Sequence, residues 1–373
     1  MDIYDAKQMY DRLKVSERED GILDLDARLR AMNGPLLAWY EEHARILPWR
    51  ENPEGYRVWI SEIMLQQTRV AAVLDYYRRF LEAVPTVADL AALPEDALMK
   101  LWQGLGYYSR ARNLQKAARQ IMESFGGVFP NTYDGIRSLA GVGDYTAGAV
   151  ASIAFGLPVP AVDGNVLRVV TRVTGDAGDI TAPAVKRRIT EALRQIIPTE
   201  APGQFNQAMM ELGATVCLPN GAPLCDRCPA AEFCRARLED RIGQLPVKAP
   251  KKARRIERRS VYLIVSEQGV ALRRRPDKGL LAGLWEYPNE LAEEGAIPAL
   301  LGLEQEELVP AGQGRHIFTH IEWRMQAWTA RIPPKALPEG WVWAGRQALA
   351  RDYAVPNAFQ AFRDFVDRQL GYF

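Results

Sequence analysis

The chain has 373 residues, 48% of them apolar and 25% charged, which excludes a disordered or fibrous chain and leaves room for two or three domains with their own cores. With 47 Lys+Arg against 46 Asp+Glu the net charge is +1, so any face for a polyanion must come from local patches. No apolar run approaches the 18 or so residues that a membrane span needs, and residues 1–30 alternate acids and bases with no signal-peptide core, so a cytoplasmic chain with reduced thiols is expected.

Residues 1–34 read as a solvated extension or a peripheral helix. From about Asn33 to Arg237 apolar residues recur at helical spacing. Trp59–Phe80 carries Ile60, Ile63, Met64, Val70, Leu74 and Tyr77 on one stripe. Ala88–Trp102 and Arg110–Phe125 follow, punctuated by Gly104, Gly106 and the Gly126-Gly127 pair, and Lys186–Ile197 closes at Pro198. Residues 35–244 should therefore form an all-α domain. Leu245–Arg259, with seven basic residues, one Glu and two prolines, has the character of a linker. Beyond it, Ser260–Ser266 and Val270–Arg274 flank a Gly turn like a hairpin, Arg324–Ile332 is a strand candidate and Ala358–Leu370 is helical in pattern. Residues 260–373 should fold separately as an α+β domain.

All four cysteines fall between positions 217 and 234, as Cys217, Cys225, Cys228 and Cys234. Thiolates gathered in one short loop indicate a soft metal, either zinc or an iron–sulfur cluster. Spacing alone leaves both open, although a single close C-x2-C pair leans toward a cubane. Leu139–Ala149 (LAGVGDYTAGA) places Gly141 and Gly143 in a turn before a helix, where outward amides can receive a phosphate. Asp163 stands alone in the apolar run AVDGNV, as a helix N-cap, a functional acid or both. Glu62 sits beside Ile60, Ile63 and Met64. By residue type an exposed helical Glu is the commoner role, but apolar neighbours suit a raised pKa.

Together LPWR (47–50), WISEIMLQQTRV (59–70), GLGYYSRARNL (104–114), LAGVGDYTAGA, VDGNVLRV (162–169), FNQAMMELGA (205–214) and the cysteine loop resemble the helix–hairpin–helix DNA glycosylases with an iron–sulfur loop, and among them the adenine DNA glycosylases of the MutY type. GLLAGLWEYP (279–288) and HIFTH (316–320) resemble that family's Nudix-like recognition domain. The resemblance implies a multidomain enzyme, a helical glycosylase domain followed by a Nudix-like one. It would remove adenine mispaired with 8-oxoguanine or guanine in double-stranded DNA, as a monomer, with one 4Fe-4S cluster on the four cysteines.

In such an enzyme Glu62 would protonate the purine leaving group and Asp163 would stabilise the sugar cation, with Tyr145 and Asn165 assisting. Relatives of the endonuclease III type carry Lys where this chain has Tyr145, so a Schiff base is not expected and the enzyme would be monofunctional. Gln67 and Tyr107 match intercalating positions, with Leu65, Thr68 and Tyr108 beside them. Trp49, Arg50 and Gln207 match residues around the adenine pocket. Arg69, Arg110 and Arg112 are phosphate-contact candidates, with a solvated face as the plainer alternative. Phe318-Thr319-His320 matches the loop that reads 8-oxoguanine, with Thr where Ser is usual. The first cysteine interval is one residue longer than the family's. Two alternatives stand beside this reading: a pyrimidine-lesion glycosylase/lyase, and a non-catalytic, metal-stapled DNA-binding module.

Overall fold

A computed structural model describes residues 23–250 and 253–371. The acid–base alternation of residues 1–22 and the linker's Lys251 and Lys252 lie outside the described residues. The helices are α1 (Leu23–His43), α2 (Pro48–Glu51), α3 (Gly55–Leu65), α4 (Val70–Ala83), α5 (Val87–Ala92), α6 (Glu95–Trp102), α7 (Ser109–Ser124), α8 (Tyr133–Arg137), α9 (Asp144–Phe155), α10 (Gly164–Thr174), α11 (Pro183–Ile196), α12 (Pro202–Thr215) and α13 (Arg235–Leu238). Strands β1 (Arg255–Ser266), β2 (Gly269–Arg274), β3 (Trp285–Glu286) and β4 (Asn289–Leu291) follow. After α14 (Ala296–Leu300) come β5 (Val309–Ile317), β6 (Ile321–Arg331) and β7 (Trp341–Ala344), then α15 (Arg346–Arg351) and α16 (Arg363–Leu370). Among the described residues no helix is long and apolar enough to cross a membrane.

The chain divides into two compact units. One comprises the residues up to Tyr77 with Thr86–Ala91 and Lys116–Pro250; the other comprises Arg78–Pro85, Ala92–Gln115 and Lys251–Phe373. The expected boundary at residue 34 falls inside α1. Asn33-Gly34-Pro35 is a helix-breaking tripeptide by composition, and an interior proline costs roughly 3 kcal/mol. Here Leu29, Met32 and Leu36 of α1 are buried against Val166 and Val170 of α10, Leu193 of α11 and Phe205 and Leu212 of α12. At roughly 1.5–3 kcal/mol for each such side chain, that burial outweighs the proline. Asn33 Nδ2 also donates to the Ile196 carbonyl at 2.7 Å.

The stripe from Trp59 to Phe80 is likewise two helices and not one. It breaks after Leu65, and Gln67 takes a left-handed φ of 57° before α4 begins. Ala88–Trp102 splits at Pro94, which precedes the first residue of α6. Helices α8 and α9 form a hairpin whose turn contains Gly141 at φ 76°.

In the second unit β1 pairs antiparallel with β2 and parallel with β6, and β5 and β6 form an antiparallel hairpin, giving the order β3-β2-β1-β6-β5 with β4 also on β1 and β7 on β2. Alternation along β1 sends Val261 and Leu263 to one core with Trp323, Met325 and Phe359, and Tyr262 and Ile264 to the other with Ile297 and Leu301. Both faces of the sheet are thus covered. Arg255–Arg259, read from composition as linker, is strand: Arg255 registers with Ile321, and Glu257 takes Arg255, Arg259 and the Trp323 indole as partners. The charges alternate with the pleat and are locally paired, which composition cannot reveal.

Candidate active site

A cavity of about 710 Å³ opens in the helical unit between α3, the α8–α9 hairpin, the N-terminus of α10 and α12. Glu62 enters it from the last turns of α3 and is only 5% exposed. Tyr145, in the first turn of α9, donates its hydroxyl to Glu62 Oε2 at 2.7 Å and lies 3.2 Å from the Met210 sulfur. Burial raises the Glu62 pKa to about 7, and the nearby Asp163 adds to it, while the Tyr145 hydrogen bond and Arg50 pull the other way. Burial beside these two carboxyls also drives the Tyr145 phenol well above its usual range.

Asp163 caps α10, accepting the Val166 amide at 2.8 Å and Asn165 Nδ2 at 2.8 Å. Its pKa is raised because burial outweighs the amide donors and the nearby Arg168, so the N-cap alone does not set its charge. The two carboxyls nonetheless differ in kind. Asp163 accepts two amide donors that favour its anion, whereas Glu62 accepts only the Tyr145 hydroxyl, with Arg50 acting on it through its charge. Arg168, itself buried, donates to Asn165 Oδ1 and to the Gly213 and Cys217 carbonyls, which ties the helix bearing Asp163 to the start of the cysteine loop.

Trp49, Arg50, Leu65, Gln67, Thr68, Gly141, Gly143 and Gln207 line the same cavity, so one space gathers the expected pocket, hairpin and intercalating residues of this unit. Sequence reasoning missed Arg45 and Glu211. Glu211, 1% exposed, accepts Arg45 through both carboxylate oxygens (2.6 and 3.0 Å) and Arg50 at 2.8 Å. Burial opposes its ionisation, but the two arginines prevail and hold its pKa below the usual range. The signal was available in the carboxylate of FNQAMMELGA, but nothing in the sequence alone pairs it with an arginine 161 residues away.

The four cysteines line one apolar cavity with Val169, Val173, Leu212 and Val216. Arg172 Nη1 lies 3.3 Å from the Cys217 sulfur and Cys234 Sγ 3.4 Å from the Arg172 carbonyl. Burial pushes the Cys228 thiol up to about 12 and raises Cys225 and Cys234. Among the described residues no three His, Cys, Asp or Glu side chains converge as direct ligands of one ion.

In the other unit Tyr107 is 45% exposed at φ 47°, whereas Tyr108 is 5% exposed and packed inside, so only Tyr107 offers a ring to a partner. Arg110 and Arg112 are not free phosphate contacts either. Arg110 is buried and bonded to the Leu105 and Gly106 carbonyls, and Arg112 pairs with Glu95 and donates to the Ala282 carbonyl. Arg69 is exposed, before α4. Phe318, Thr319 and His320 form the tip of the β5–β6 hairpin. Phe318 is half-buried, edge-on to His316 (4.5 Å) and Trp323 (4.9 Å), while Thr319 and His320 are exposed. The Arg255 amide donates to the His320 carbonyl and Arg254 Nε to the Phe318 carbonyl, so the former linker braces this tip. The Tyr107 hydroxyl lies 3.4 Å from Thr319 Oγ1.

A hairpin between two helices, a buried acid and a second carboxylate at a helix N-terminus thus meet in one cavity. Residues 60–195 match the HhH-GPD superfamily of base excision DNA repair proteins, and residues 260–364 match the NUDIX domain. Among solved structures, a thermostable thymine-DNA glycosylase superposes with a TM-score of 0.52 at 27% identity, over 57% of this chain and 97% of its own. The adenine DNA glycosylase of Mus musculus is 36% identical over 92% of this chain and 80% of its own, and that of Homo sapiens 36% over 92% and 76%. The chain belongs to the adenine DNA glycosylase family.

Proposed function

We propose that this enzyme, a DNA N-glycosylase of base excision repair, removes adenine from A:8-oxoguanine and A:G mispairs in double-stranded DNA without committed strand cleavage. The observation that carries the reading is the buried Glu62, its pKa near 7, sharing one cavity with Asp163. A carboxyl poised near neutrality can hold a proton for the purine leaving group, a role worth typically 10²–10⁴-fold in rate. As the N-glycosidic bond breaks, electrons leave with the base and positive charge grows on the sugar. The Asp163 carboxylate, oriented by Asn165 and the Val166 amide, lies in the cavity to stabilise that charge. Water then adds to the sugar carbon and Glu62, now ionised, accepts its proton. The Arg45–Glu211–Arg50 cluster on the cavity wall offers fixed donors and acceptors to the edge of a purine.

Tyr145 supports the monofunctional reading, since a phenol bonded to Glu62 supplies no amine for a Schiff base. Gln67 and Tyr107 serve as wedges that fill the stack when adenine leaves it. Both are exposed and both hold left-handed backbone that side-chain-bearing residues adopt at a cost. Thr319 and His320 read the base opposite adenine. Cys217, Cys225, Cys228 and Cys234 hold one 4Fe-4S cluster: four thiols without a carboxylate or imidazole around one apolar space suit a cluster of soft ligands. Bound there, the cluster would brace the loop covalently through the four sulfurs.

The test is single-turnover adenine release from duplexes containing A:8-oxoguanine, A:G and A:T. Release in that order of preference supports the reading. Equal rates on all three would remove the opposite-base reading, and no release from any would overturn the function.

A further inference from the structure

We propose that Arg110 is a positioning residue that holds Tyr107 in its wedge conformation; this rests on the reading of Tyr107 as a wedge. The turn before α7 is unusual backbone. Gly104 and Gly106 have φ of 106° and 70°, and Tyr107 follows at 47°, a region bulky residues rarely occupy. Something must hold an aromatic residue there, and Arg110 meets the turn on three sides. Its Nη2 donates to the Leu105 and Gly106 carbonyls, each at 3.1 Å, and its own amide donates to the Tyr107 carbonyl at 2.9 Å. Its guanidinium lies 5.3 Å from the Trp102 ring centroid and 5.6 Å from that of Tyr107. Trp102 completes the brace by donating its indole N–H to the Gly106 carbonyl at 3.1 Å.

Helix stability does not explain this residue. A cation in the first turn of a helix opposes the helix dipole, and burial in addition lowers the Arg110 pKa to about 10. A planar guanidinium can reach two carbonyls while facing aromatic rings, whereas the ammonium of lysine is a compact point charge. The brace leaves the Tyr107 ring exposed, with its hydroxyl 3.4 Å from Thr319 Oγ1, so Arg110 also fixes where the wedge meets the exposed loop at 318–320.

The experiment is a double-mutant cycle on the full chain with Arg110→Met, Tyr107→Ala and the pair, and with Arg110→Lys as a milder second variant. A duplex carries 2-aminopurine next to the A:8-oxoguanine mispair, so that wedging appears as a fluorescence rise whether or not adenine is released. Arg110→Met and Tyr107→Ala should each cut that rise by about threefold or more, and the double variant should lose no more than Tyr107→Ala alone. Adenine release should follow the same non-additive pattern with about tenfold losses. Arg110→Lys should regain at most part of the wedging; its cycle with Tyr107→Ala decides the matter if the Met variant does not fold. Losses that multiply in the double variant, or a wild-type fluorescence rise in both Arg110 variants, would overturn the proposal. Absence of adenine release by the wild type would instead overturn the functional reading, while the fluorescence cycle still decides Arg110.

Discussion

Glu62 is buried and Thr319 is exposed. The carboxyl of α3 is enclosed by helices, 5% exposed, and its proton affinity is reset by that enclosure. The hydroxyl at the β5–β6 tip is exposed, on a loop braced from behind by Arg254, Arg255 and the Phe318–Trp323 ring contact. Chemistry on a bond needs a group removed from water, because only there does burial move a carboxyl to neutrality. Reading a base needs the reverse, an exposed polar group within reach of the partner and a backbone too well held to follow it. In the proposed reading the helical unit provides the first through packing and the sheet unit the second through strand pairing.

Breaking the buried side should have the largest effect. Glu62→Gln removes the proton donor with little change of shape and should slow single-turnover adenine release by at least about 10²-fold, with duplex affinity retained; a gel-shift titration beside the rate measurement checks both. Asp163→Asn should be comparably impaired, because a neutral amide cannot stabilise the sugar cation.

The same enclosure costs stability. Glu62 has a folded pKa near 7 against an ordinary 4.5. Below pH 4.5 its neutral form costs the fold nothing extra; as pH rises through 7 the buried carboxyl must ionise and that stability is lost. Glu62→Gln should therefore be more stable than wild type at pH 8, by up to about 3 kcal/mol at 1.4 kcal/mol per tenfold change in protonation equilibrium, with the difference vanishing near pH 4. Denaturant melts at the two pH values read it directly.

Breaking the exposed side should be milder and selective. Thr319→Ala and His320→Ala should each narrow the preference for A:8-oxoguanine over A:G by about 1–3 kcal/mol if each makes one base-directed contact, with folding unchanged. Neutralising Lys248, an exposed linker cation, should weaken binding to every duplex alike and reduce the salt slope by about one, without altering which opposite base is preferred.

Legibility in the sequence followed the same division. The candidate cavity was readable mainly through the family resemblance: residue type alone made Glu62 an exposed helical Glu and left Asp163 open as an N-cap or an acid, and only the resemblance singled out Tyr145. The Arg45–Glu211–Arg50 cluster was not, since it joins residues more than 150 positions apart through packing alone. Helical periodicity ran straight through the break, because the apolar residues of α3 and α4 keep helical spacing in sequence across the non-helical residues 66–69. Asn33-Gly34-Pro35 misled in the opposite sense, with local turn chemistry overridden by burial of Leu29, Met32 and Leu36. In the sheet unit, paired charges on β1 looked like a linker, and Tyr108 could not be told from Tyr107 by residue type when only backbone geometry decides which ring faces out.

The central claim is that burial makes Glu62 the acid, and the pH dependence of single-turnover adenine release tests it most directly. Rates should fall as pH rises through about 7, where Glu62 loses its proton, and also at low pH, where Asp163 becomes protonated. Tyr145→Phe removes the hydrogen bond that favours the Glu62 anion, so the alkaline limb should move to higher pH. A rate that stays constant from pH 6 to pH 9 in the wild type, or a limb that Tyr145→Phe leaves in place, would contradict a buried acid at Glu62.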